Sequence, residues 1–314
     1  MPQIDRALRS NLKLRHLQLV VALDQFHHLG KTAEFLSVSQ PAVSRMLSEV
    51  ENMLGLSLFT RSTRGSEPTA SGRAIVRFAR SVLADYERTR DEIAAESSGT
   101  AGRTRVGAMV VALPTLVAKA VEEMKQRAPH ATVLVEEGDL THLLPKLRLG
   151  ELDLFVGRLE PAYAAPDLEA EALYNEPMVA VVAPGHPLLR KRSPGWTDLA
   201  VLPGVLPPPW ASLRVKLEQK FFEHKLNPPS DLVESTSFLA IATFVQKRGG
   251  FGFMARSVAR HAQELGLVRT LALKVDVPLP PVGIMTVRGR VASPVTAALV
   301  KALRQAAPKT RAGT

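Results

Sequence analysis

The sequence contains no cysteine and no long apolar run. The missing cysteine excludes disulfides, thiolate zinc sites and thiol redox sensing. No apolar stretch approaches the ~20 residues that a helix needs to span a bilayer. The N-terminal patch Leu17–Leu23 is broken by Gln18 and has no small-residue cleavage site after it. We therefore expect no signal peptide, no membrane partner and a cytoplasmic location.

Basic residues are in excess, with 40 Lys/Arg against 30 Asp/Glu and a net charge of +10. Such a balance favours a polyanionic partner. Residues 1–72 hold 8 basic and 6 acidic residues, a net of +2, whereas residues 102–314 hold 27 and 19, a net of +8. Charge alone would therefore direct attention to the second half, where it mildly favours an anionic small ligand.

The length of 314 residues fits two or three domains. Helical spacing of apolar residues, a proline in a first turn and a glycine at a helix end predict three helices near the N-terminus. They cover Leu14–Phe26, about Lys31–Ser37, and Gln40–Leu54 with Ser39 as N-cap. The following segment, Leu56–Gly72, predicts a β-hairpin. Residues 1–70 thus predict a winged helix-turn-helix domain.

A long amphipathic helix is predicted after the hairpin, over residues 71–97. Its apolar side chains recur every three or four residues, which calls for a partner surface. The expected partner is the same helix of a second chain, with simple packing on its own domain as the alternative. The proposed contact residues are Ile75, Phe78, Val82 and Tyr86. A hinge follows at residues 98–102.

Strand and helix patterns alternate after the hinge, so residues 103–314 predict an α/β domain built on parallel sheets. Two similar halves are expected. Subdomain I covers about 103–172 and 276–306, and subdomain II covers about 173–275. The residues from Pro308 onward are expected to be disordered. The overall fold class is α/β, with the winged domain and linker helix in front.

The third helix has two unlike faces. Val43, Leu47, Val50 and Leu54 form an apolar face for a core, while the other face carries short polar side chains and an arginine. Residues four apart share a face, which groups Gln40, Ser44 and Ser48, and also Pro41 and Arg45. Gln and Arg can form paired hydrogen bonds to base edges, and Ser lets a backbone approach closely. This face therefore predicts a DNA-reading surface.

The N-terminal motifs carry a family resemblance. The run TAEFLSVSQPAVSRMLSEVENMLGLSLFTRSTRG, followed by PTASG, resembles the winged helix-turn-helix of LysR-type transcriptional regulators. The resemblance continues through RVGAMVVA, RAPHATVLVEEG, LRLGELDLFVG, the GHPL element and RGGFGFM, and so covers nearly the whole chain. It implies a winged helix-turn-helix joined to an effector domain similar to periplasmic binding proteins.

The resemblance also implies partners and contacts. Gln40, Pro41, Ser44 and Arg45 would contact the major groove, with Ser48 on the same face. Lys31, Arg61 and Arg64 would contact phosphates and the flanking minor groove. The protein would be a homotetramer, a dimer of dimers, on an interrupted inverted-repeat operator in double-stranded DNA, and it would contact RNA polymerase. Effector binding would change subdomain closure and DNA bending.

Ligands in open α/β folds bind at the carboxyl ends of strands, against helix N-termini. This rule selects a set of candidate effector contacts, which are Met109, Val110, Asp139, Leu140, Thr141, Arg158, Pro207, Trp210, Ser235, Thr236, Ser237 and Phe253. Hydroxyls and N–H groups at Ser235–Ser237 suit a carboxylate or sulfonate. A small, anionic organic effector is therefore expected, and the alternative for each serine is a plain helix cap.

No catalytic group, metal site or cofactor is predicted. His27 and His28 are adjacent and point apart on a helix, and no carboxylate lies at ligand spacing. Glu136 and Glu137 face opposite ways on a strand. An enzyme is thus not expected. Two alternatives remain open: an architectural DNA-binding protein without an effector, and a small-molecule-binding or enzymatic α/β module with an accessory DNA-binding domain.

Overall fold

The computed structural model describes residues 2–62, 65–98 and 102–308. The chain forms two compact units. The first comprises residues up to Arg103 together with Leu144–Asp153, and the second comprises the remainder. Part of the expected hinge, residues 99–101, and the expected disordered end, residues 309–314, lie outside the described residues.

The first unit is mainly helical. Its elements are α1 (Pro2–Arg6), a π-helical turn (Ala7–Asn11), α2 (Leu14–Phe26), α3 (Leu29–Phe35), α4 (Gln40–Leu54), β1 (Phe59–Ser62), β2 (Gly65–Pro68) and α5 (Ala70–Ser98). The predicted bounds of α2 and α4 are confirmed. Gly55 ends α4 in the left-handed conformation, with φ 68°. Ser39 occupies the N-cap position, but its side chain makes no capping hydrogen bond.

The core of this unit lies beneath α4. Val43, Leu47, Val50 and Leu54 are buried in one cluster with apolar residues of α2, β1 and α5. Burying four aliphatic side chains on one face contributes roughly 1.5–3 kcal/mol each before entropy is counted. The packing fixes the rotation of α4 about its axis, so the opposite face is presented outward.

The second helix begins and ends earlier than the predicted Lys31–Ser37. It runs from Leu29 to Phe35 because the His28 side chain caps it. His28 Nδ1 accepts from the amides of Gly30 and Lys31, at 3.0 and 3.3 Å. Ser37 lies beyond the helix with a φ of 55°, which ends the helical conformation there. Histidine is not among the usual capping residues, so the pattern gave no such signal.

In the second unit, one five-stranded sheet has the order β4-β3-β5-β12-β6. Its strands are β3 (Arg103–Ala108), β4 (Thr132–Glu137), β5 (Leu154–Arg158), β6 (Leu168–Tyr174) and β12 (Val282–Val287). The associated helical elements are a π-helical segment (Leu113–Val117), α6 (Ala118–Arg127), α7 (Leu140–Leu149), a 3-10 turn (Pro161–Tyr163) and α12 (Pro294–Ala306). α7 begins in the second unit and ends in the first.

The other five-stranded sheet has the order β11-β7-β10-β8-β9. Its strands are β7 (Met178–Val182), β8 (Gly204–Leu206), β9 (Leu232–Glu234), β10 (Phe251–Ala255) and β11 (Arg269–Thr270). Its helical elements are a 3-10 turn (Pro187–Arg190), α8 (Trp196–Ala200), α9 (Ser212–Glu223), α10 (Phe238–Arg248) and α11 (Arg256–Glu264). Trp196, Phe221, Phe251 and Phe253 form an aromatic cluster in its core.

The predicted α/β class with two sheets is confirmed, but the expectation of parallel sheets is wrong in part. β3 runs parallel to β5, and β8 parallel to both β9 and β10. β12 runs antiparallel to β5 and β6, and β7 antiparallel to β10. The chain crosses between the sheets after β6 and returns before β12. β7, the first strand after one crossover, and β12, the first strand after the other, therefore run against the parallel strands of their sheets. No described helix is long and apolar enough to cross a membrane.

Candidate nucleic-acid interface and effector cleft

The outward face of α4 carries the predicted DNA-reading residues. Gln40, Pro41, Arg45 and Ser48 are exposed, and Ser44 is half-buried. The Ser48 hydroxyl donates to the Ser44 carbonyl at 3.1 Å, so it is occupied within the helix. Pro41 lies in the first turn, where its missing N–H costs no hydrogen bond. The face combines one guanidinium, one amide and small side chains beside a helix N-terminus, which suits a nucleic-acid groove.

Glu51 joins α4 to the wing. Its Oε1 accepts from the Leu58 amide at 2.7 Å and from the Phe59 amide at 3.2 Å. These amides enter β1, so the carboxylate sets the position of the hairpin relative to α4. The sequence prediction assigned Glu51 no role. The signal that could have found it is a carboxylate on the helix flank, followed by a short loop into an apolar strand.

The wing is an antiparallel hairpin, as predicted, with Arg61 opposite Ser66 in the register. It is also fixed to the end of α2, because the Ser66 amide donates to the His27 carbonyl at 2.8 Å. A Cβ at Gly65 would lie 2.3 Å from that carbonyl oxygen, so only glycine permits this approach. The backbone of Arg61 lies in β1. Its side chain and the whole of Arg64 lie outside the described part of the chain.

Lys31 is exposed near the start of α3. Its amide is bonded to the His28 ring, so the backbone that carries the side chain is fixed. The Gln40 side chain lies close by, since its Oε1 would be 3.7 Å from a Cβ built on Gly30. The start of α3 and the start of α4 are therefore neighbours, and Lys31 and Gln40 belong to one surface.

The linker helix α5 packs one side on the N-terminal core and leaves another side open. Val76 and Ala79 are buried there, and Ile75 and Val82 are partly buried against the same cluster. Phe78 and Tyr86 are 40% and 47% exposed. Packing on its own domain, one of the two predicted alternatives, accounts for part of this stripe. Pairing of the exposed part with a second chain stays a prediction.

In the second unit the carboxyl ends of the two sheets meet. The loop after β3 contacts the start of α11, which follows β10, through a bond from the Ser257 hydroxyl to the Val111 carbonyl at 3.2 Å. Glu176, on the first crossover between the sheets, accepts from the Ser257 amide at 2.7 Å. The carboxyl ends of the two sheets therefore face each other, and the candidate effector residues that follow strands of either sheet lie at these ends.

Arg158 is buried at the end of β5, with 6% of its surface exposed. Its guanidinium donates to the carbonyls of Pro280 and Glu176, at 2.9 and 2.8 Å, which lie on the two crossovers. Burial lowers the pKa of Arg158 and raises the pKa of the neighbouring Tyr174 to about 12. The side chain is engaged with the backbone, and its contact with an effector stays a prediction.

The start of α7 contributes two exposed candidates, Asp139 and Thr141, while Leu140 is buried. The Thr141 hydroxyl and the His142 amide donate to Asp139 Oδ1, at 2.5 and 3.0 Å. The hydrogen bond from Thr141 is the main reason that the pKa of Asp139 is lowered. Asp139 therefore caps α7 as a carboxylate and already supplies negative charge at that helix end. Met109 and Val110, across from it after β3, are half-buried.

The sheet that contains β8 and β9 contributes the loops after these two strands. Trp210 and the pair Thr236 and Ser237 are exposed, Ser235 is half-buried, and Pro207 and Phe253 are buried. Ser237 is the N-cap of α10 and accepts from the Ala240 amide at 3.3 Å, and Ser235 Oγ accepts from the Ser237 amide at 3.1 Å. Ser237 is thus a helix cap, as the alternative held, whereas Ser235 closes a turn just before the helix. Their hydroxyl protons are not used in these two bonds.

Within the described ranges there is no group of three or more His, Asp or Glu residues placed to hold a metal ion. His27 Nδ1 lies 3.2 Å from the Ser66 carbonyl and His28 Nδ1 caps α3, so each histidine has a structural partner.

Known proteins share both parts of this architecture. A family described as LysR substrate binding domain matches residues 97–308, and one described as bacterial regulatory helix-turn-helix protein, lysR family, matches residues 14–73. HTH-type transcriptional regulator GbpR of Azospirillum brasilense is 30% identical over 300 residues, covering 95% of this chain and 88% of that protein. Among solved structures, CbnR, a LysR family transcriptional regulator, has a TM-score of 0.72 at 20% identity, covering 95% of this chain and 100% of CbnR. CbnR complexed with its target DNA has a TM-score of 0.71 at 20% identity, covering 94% and 100%.

Proposed function

The chain belongs to the LysR family of transcriptional regulators, and from this premise we propose how it reads DNA and responds to its effector. The protein is a LysR-type regulator with a helix-turn-helix DNA-binding region and a substrate-binding domain. This family consists of regulators rather than enzymes. The observation that carries the proposal is the outward, polar face of α4 opposite a buried apolar face. Its DNA partner implies a cytoplasmic location.

Base recognition is assigned to the exposed face of α4. Gln40 and Arg45 reach base edges in the major groove, and Pro41, Ser44 and Ser48 allow the helix to approach closely. Lys31 at the start of α3 contacts phosphate. Arg61 and Arg64 on the wing contact phosphates and the flanking minor groove. The support is positional: the backbones of Lys31 and Gln40 lie at the neighbouring starts of α3 and α4, and the backbone of Arg61 lies in the wing.

The experiment separates base readout from phosphate contact. Full-length Arg45→Ala and Arg61→Ala are titrated on an operator and on random DNA over a range of salt. Arg45→Ala should lose about 1–3 kcal/mol on the operator and little on random DNA. Arg61→Ala should weaken both and lower the slope of log K against log salt by about 1.

Arg260→Ala, an exposed arginine on α11, is the matched control for loss of one charge and should behave as the native chain. Equal losses of Arg45→Ala on operator and random DNA would refute base readout. An unchanged salt slope in Arg61→Ala would refute the phosphate role.

The functional unit is proposed to be a dimer of dimers on an interrupted inverted repeat. The exposed side of α5, with Phe78 and Tyr86, supports pairing with the same helix of a second chain. Ile75 and Val82 border that side. Pairing would hold two copies of α4 at a fixed separation, which a symmetric operator matches. Contact with RNA polymerase belongs to the same proposal.

The effector is proposed to be a small organic anion, with no other cofactor. It would bind where the carboxyl ends of the two sheets meet, against Met109, Val110 and Asp139–Thr141 on one side and Pro207, Trp210 and Ser235–Ser237 on the other. Phe253 backs the site, and Arg158 fixes the crossovers beside it. The hydroxyls of Ser235 and Ser237 accept in the bonds described above and can still donate, which at a helix N-terminus supports an anionic group. Closure of the two subdomains would then shift the DNA-binding units and alter DNA bending.

A thermal-shift screen of the full chain against small carboxylates, sulfonates and matched neutral amides tests the effector assignment. A carboxylate that binds at 100 times its Kd should stabilise by about 2.7 kcal/mol, and its neutral amide should not. Ser235→Ala/Ser237→Ala should abolish the shift. Thr197→Ala, on α8 before the amino end of β8, should keep it. Stabilisation by neutral amides alone, or a shift that survives loss of both serines, would contradict this assignment.

A further inference from the structure

Arg214 is a buried cation near the start of α9, with 8% of its surface exposed. Its Nη1 donates to the Pro207 carbonyl at 2.9 Å and to Glu234 Oε1 at 3.1 Å. Its Nε donates to Glu218 Oε1 at 2.6 Å. Removing a guanidinium from water is costly unless it is paired, and these contacts offset the cost. Arg214 therefore serves the interior of the subdomain rather than its surface.

The two partners of Nη1 stand side by side at one edge of the sheet. β8 and β9 pair in parallel with Leu206 opposite Glu234. The Ser235 amide donates to the Leu206 carbonyl at 2.9 Å, which extends the pairing by one step. The loop that begins at Pro207 and the loop that begins at Ser235 consequently leave the sheet together. One nitrogen atom of Arg214 is bonded to the first residue of one loop and to the last strand residue before the other.

The loop after β8 has few backbone donors. Pro207, Pro208 and Pro209 lack N–H groups, so this loop can be anchored mainly through its carbonyls. Within the loop, the Ala211 amide donates to the Pro208 carbonyl at 3.0 Å. An external donor aimed at the Pro207 carbonyl fixes the start of the loop, and Arg214 supplies it. The loop then presents Trp210, a large aromatic that is 72% exposed.

We propose that Arg214 is a positioning residue of the effector site, which couples the Pro207–Trp210 loop to the Ser235–Ser237 loop. The inference rests on the proposed function, because it takes these loops as the subdomain II wall of that site. Arg214 touches no effector in this account. It holds the aromatic and hydroxyl groups at a fixed separation, so that binding does not have to order two independent loops.

The test uses the two tryptophans of the chain. Trp196 is 4% exposed, so a Trp196→Phe background leaves Trp210 as the only fluorophore of its kind. Full-length Arg214→Met, Arg214→Lys and the control Arg248→Met are compared by Trp210 anisotropy and by amide hydrogen exchange. Arg248 pairs with Asp231, before the amino end of β9, so its loss removes the same charge at the other end of the strand.

Arg214→Met should lower the anisotropy of Trp210 and speed exchange of the Ser235 amide by about tenfold. Arg214→Lys should recover part of both, since an ammonium can reach one partner but lacks the planar fork. Arg248→Met should leave both at native values. If Trp196→Phe does not fold, the same signals are read in the native background after subtraction of a Trp210→Phe spectrum.

Native anisotropy and native Ser235 exchange in Arg214→Met would overturn the proposal. Loosening of one loop without the other would overturn the coupling. A third outcome is that Arg214→Met loosens both loops while no small anion stabilises the native chain. That outcome would support the coupling through Arg214 and would contradict the effector assignment instead.

Discussion

Replacing Glu51 with alanine removes the carboxylate that joins α4 to the first strand of the wing. In the native chain, Glu51 Oε1 accepts from the Leu58 and Phe59 amides at 2.7 and 3.2 Å. Both donor residues are buried, with 0% and 6% of their surface exposed, so water cannot readily replace the lost acceptor. The change should free the hairpin from α4 while leaving the apolar face of α4 in place.

The expected magnitude follows from the two hydrogen bonds. A bond to a charged acceptor contributes about 1.5–3 kcal/mol, but here one oxygen of a half-buried residue serves both donors, so we expect about 2 kcal/mol in all. That corresponds to roughly 30-fold faster exchange of the two amides if local opening governs exchange. Glu51→Gln keeps an acceptor oxygen without the charge and should cost about 1 kcal/mol, or roughly fivefold.

Hydrogen exchange of the segment 56–62 is the appropriate assay, because a two-unit chain need not unfold in one step. Glu49→Ala is the matched control: it removes a carboxylate from the same helix, 3.8 Å from the His16 ring and remote from the wing contacts. DNA affinity of Glu51→Ala should fall on operator and random DNA alike, since the wing contributes phosphate contacts. Unchanged exchange at Leu58 and Phe59 in Glu51→Ala would refute this account of the wing.

Two further predictions concern the first unit. Phe78→Glu places a charge on the exposed side of α5 and should give a smaller species than the native chain in sedimentation velocity, whereas Val201→Glu, at an 83% exposed valine, should leave the oligomer intact; a Phe78→Glu chain of native oligomeric size would exclude pairing through α5. Burial lowers the pKa of His16, whose Nδ1 accepts from the Lys13 amide at 3.2 Å, despite Glu49 nearby. The folded state thus favours neutral His16, and its contribution is present above about pH 6.5 and is lost as pH falls below it. The melting temperature of the native chain should therefore fall more between pH 7 and pH 5.5 than the melting temperature of His16→Gln. Equal falls in the two chains would contradict this role of neutral His16.

Local chemistry made the helix-turn-helix predictable from sequence. Pro41 and Gly55 mark the two ends of α4. The spacing of the apolar residues between them determines which face of the helix is buried and which face points outward. α3 was misplaced by two residues because its cap is the ring of His28, whose role depends on the turn geometry after α2. The wing was predictable as a hairpin, but its attachment through Glu51 was not. That carboxylate accepts from amides seven and eight residues further on, and it reaches them only because of the path that the loop takes between α4 and β1.

Contacts between distant segments account for what the sequence could not show in the second unit. The direction of β12 depends on how the chain crosses between the sheets, and the alternation of strand and helix patterns in the sequence does not predict that direction. β6, whose middle residues are exposed, lacks the apolar pattern by which strands such as β3 and β5 were predicted. Arg158 was selected by its place after a strand, yet its guanidinium is bonded to Pro280, a partner 122 residues away. Arg214 was overlooked because its bonds to Pro207 and Glu234 depend on the turn after β8 and on the pairing of β8 with β9.

The measurement that tests the central claim most directly is selection of DNA by the full-length chain from a random duplex library, followed by sequencing. If the outward face of α4 reads bases and the chain acts as paired copies, the enriched duplexes should share an interrupted inverted repeat, and Arg45→Ala should blur one position in each half-site. Enrichment without symmetric half-sites, or a pattern that Arg45→Ala leaves unchanged, would contradict the account.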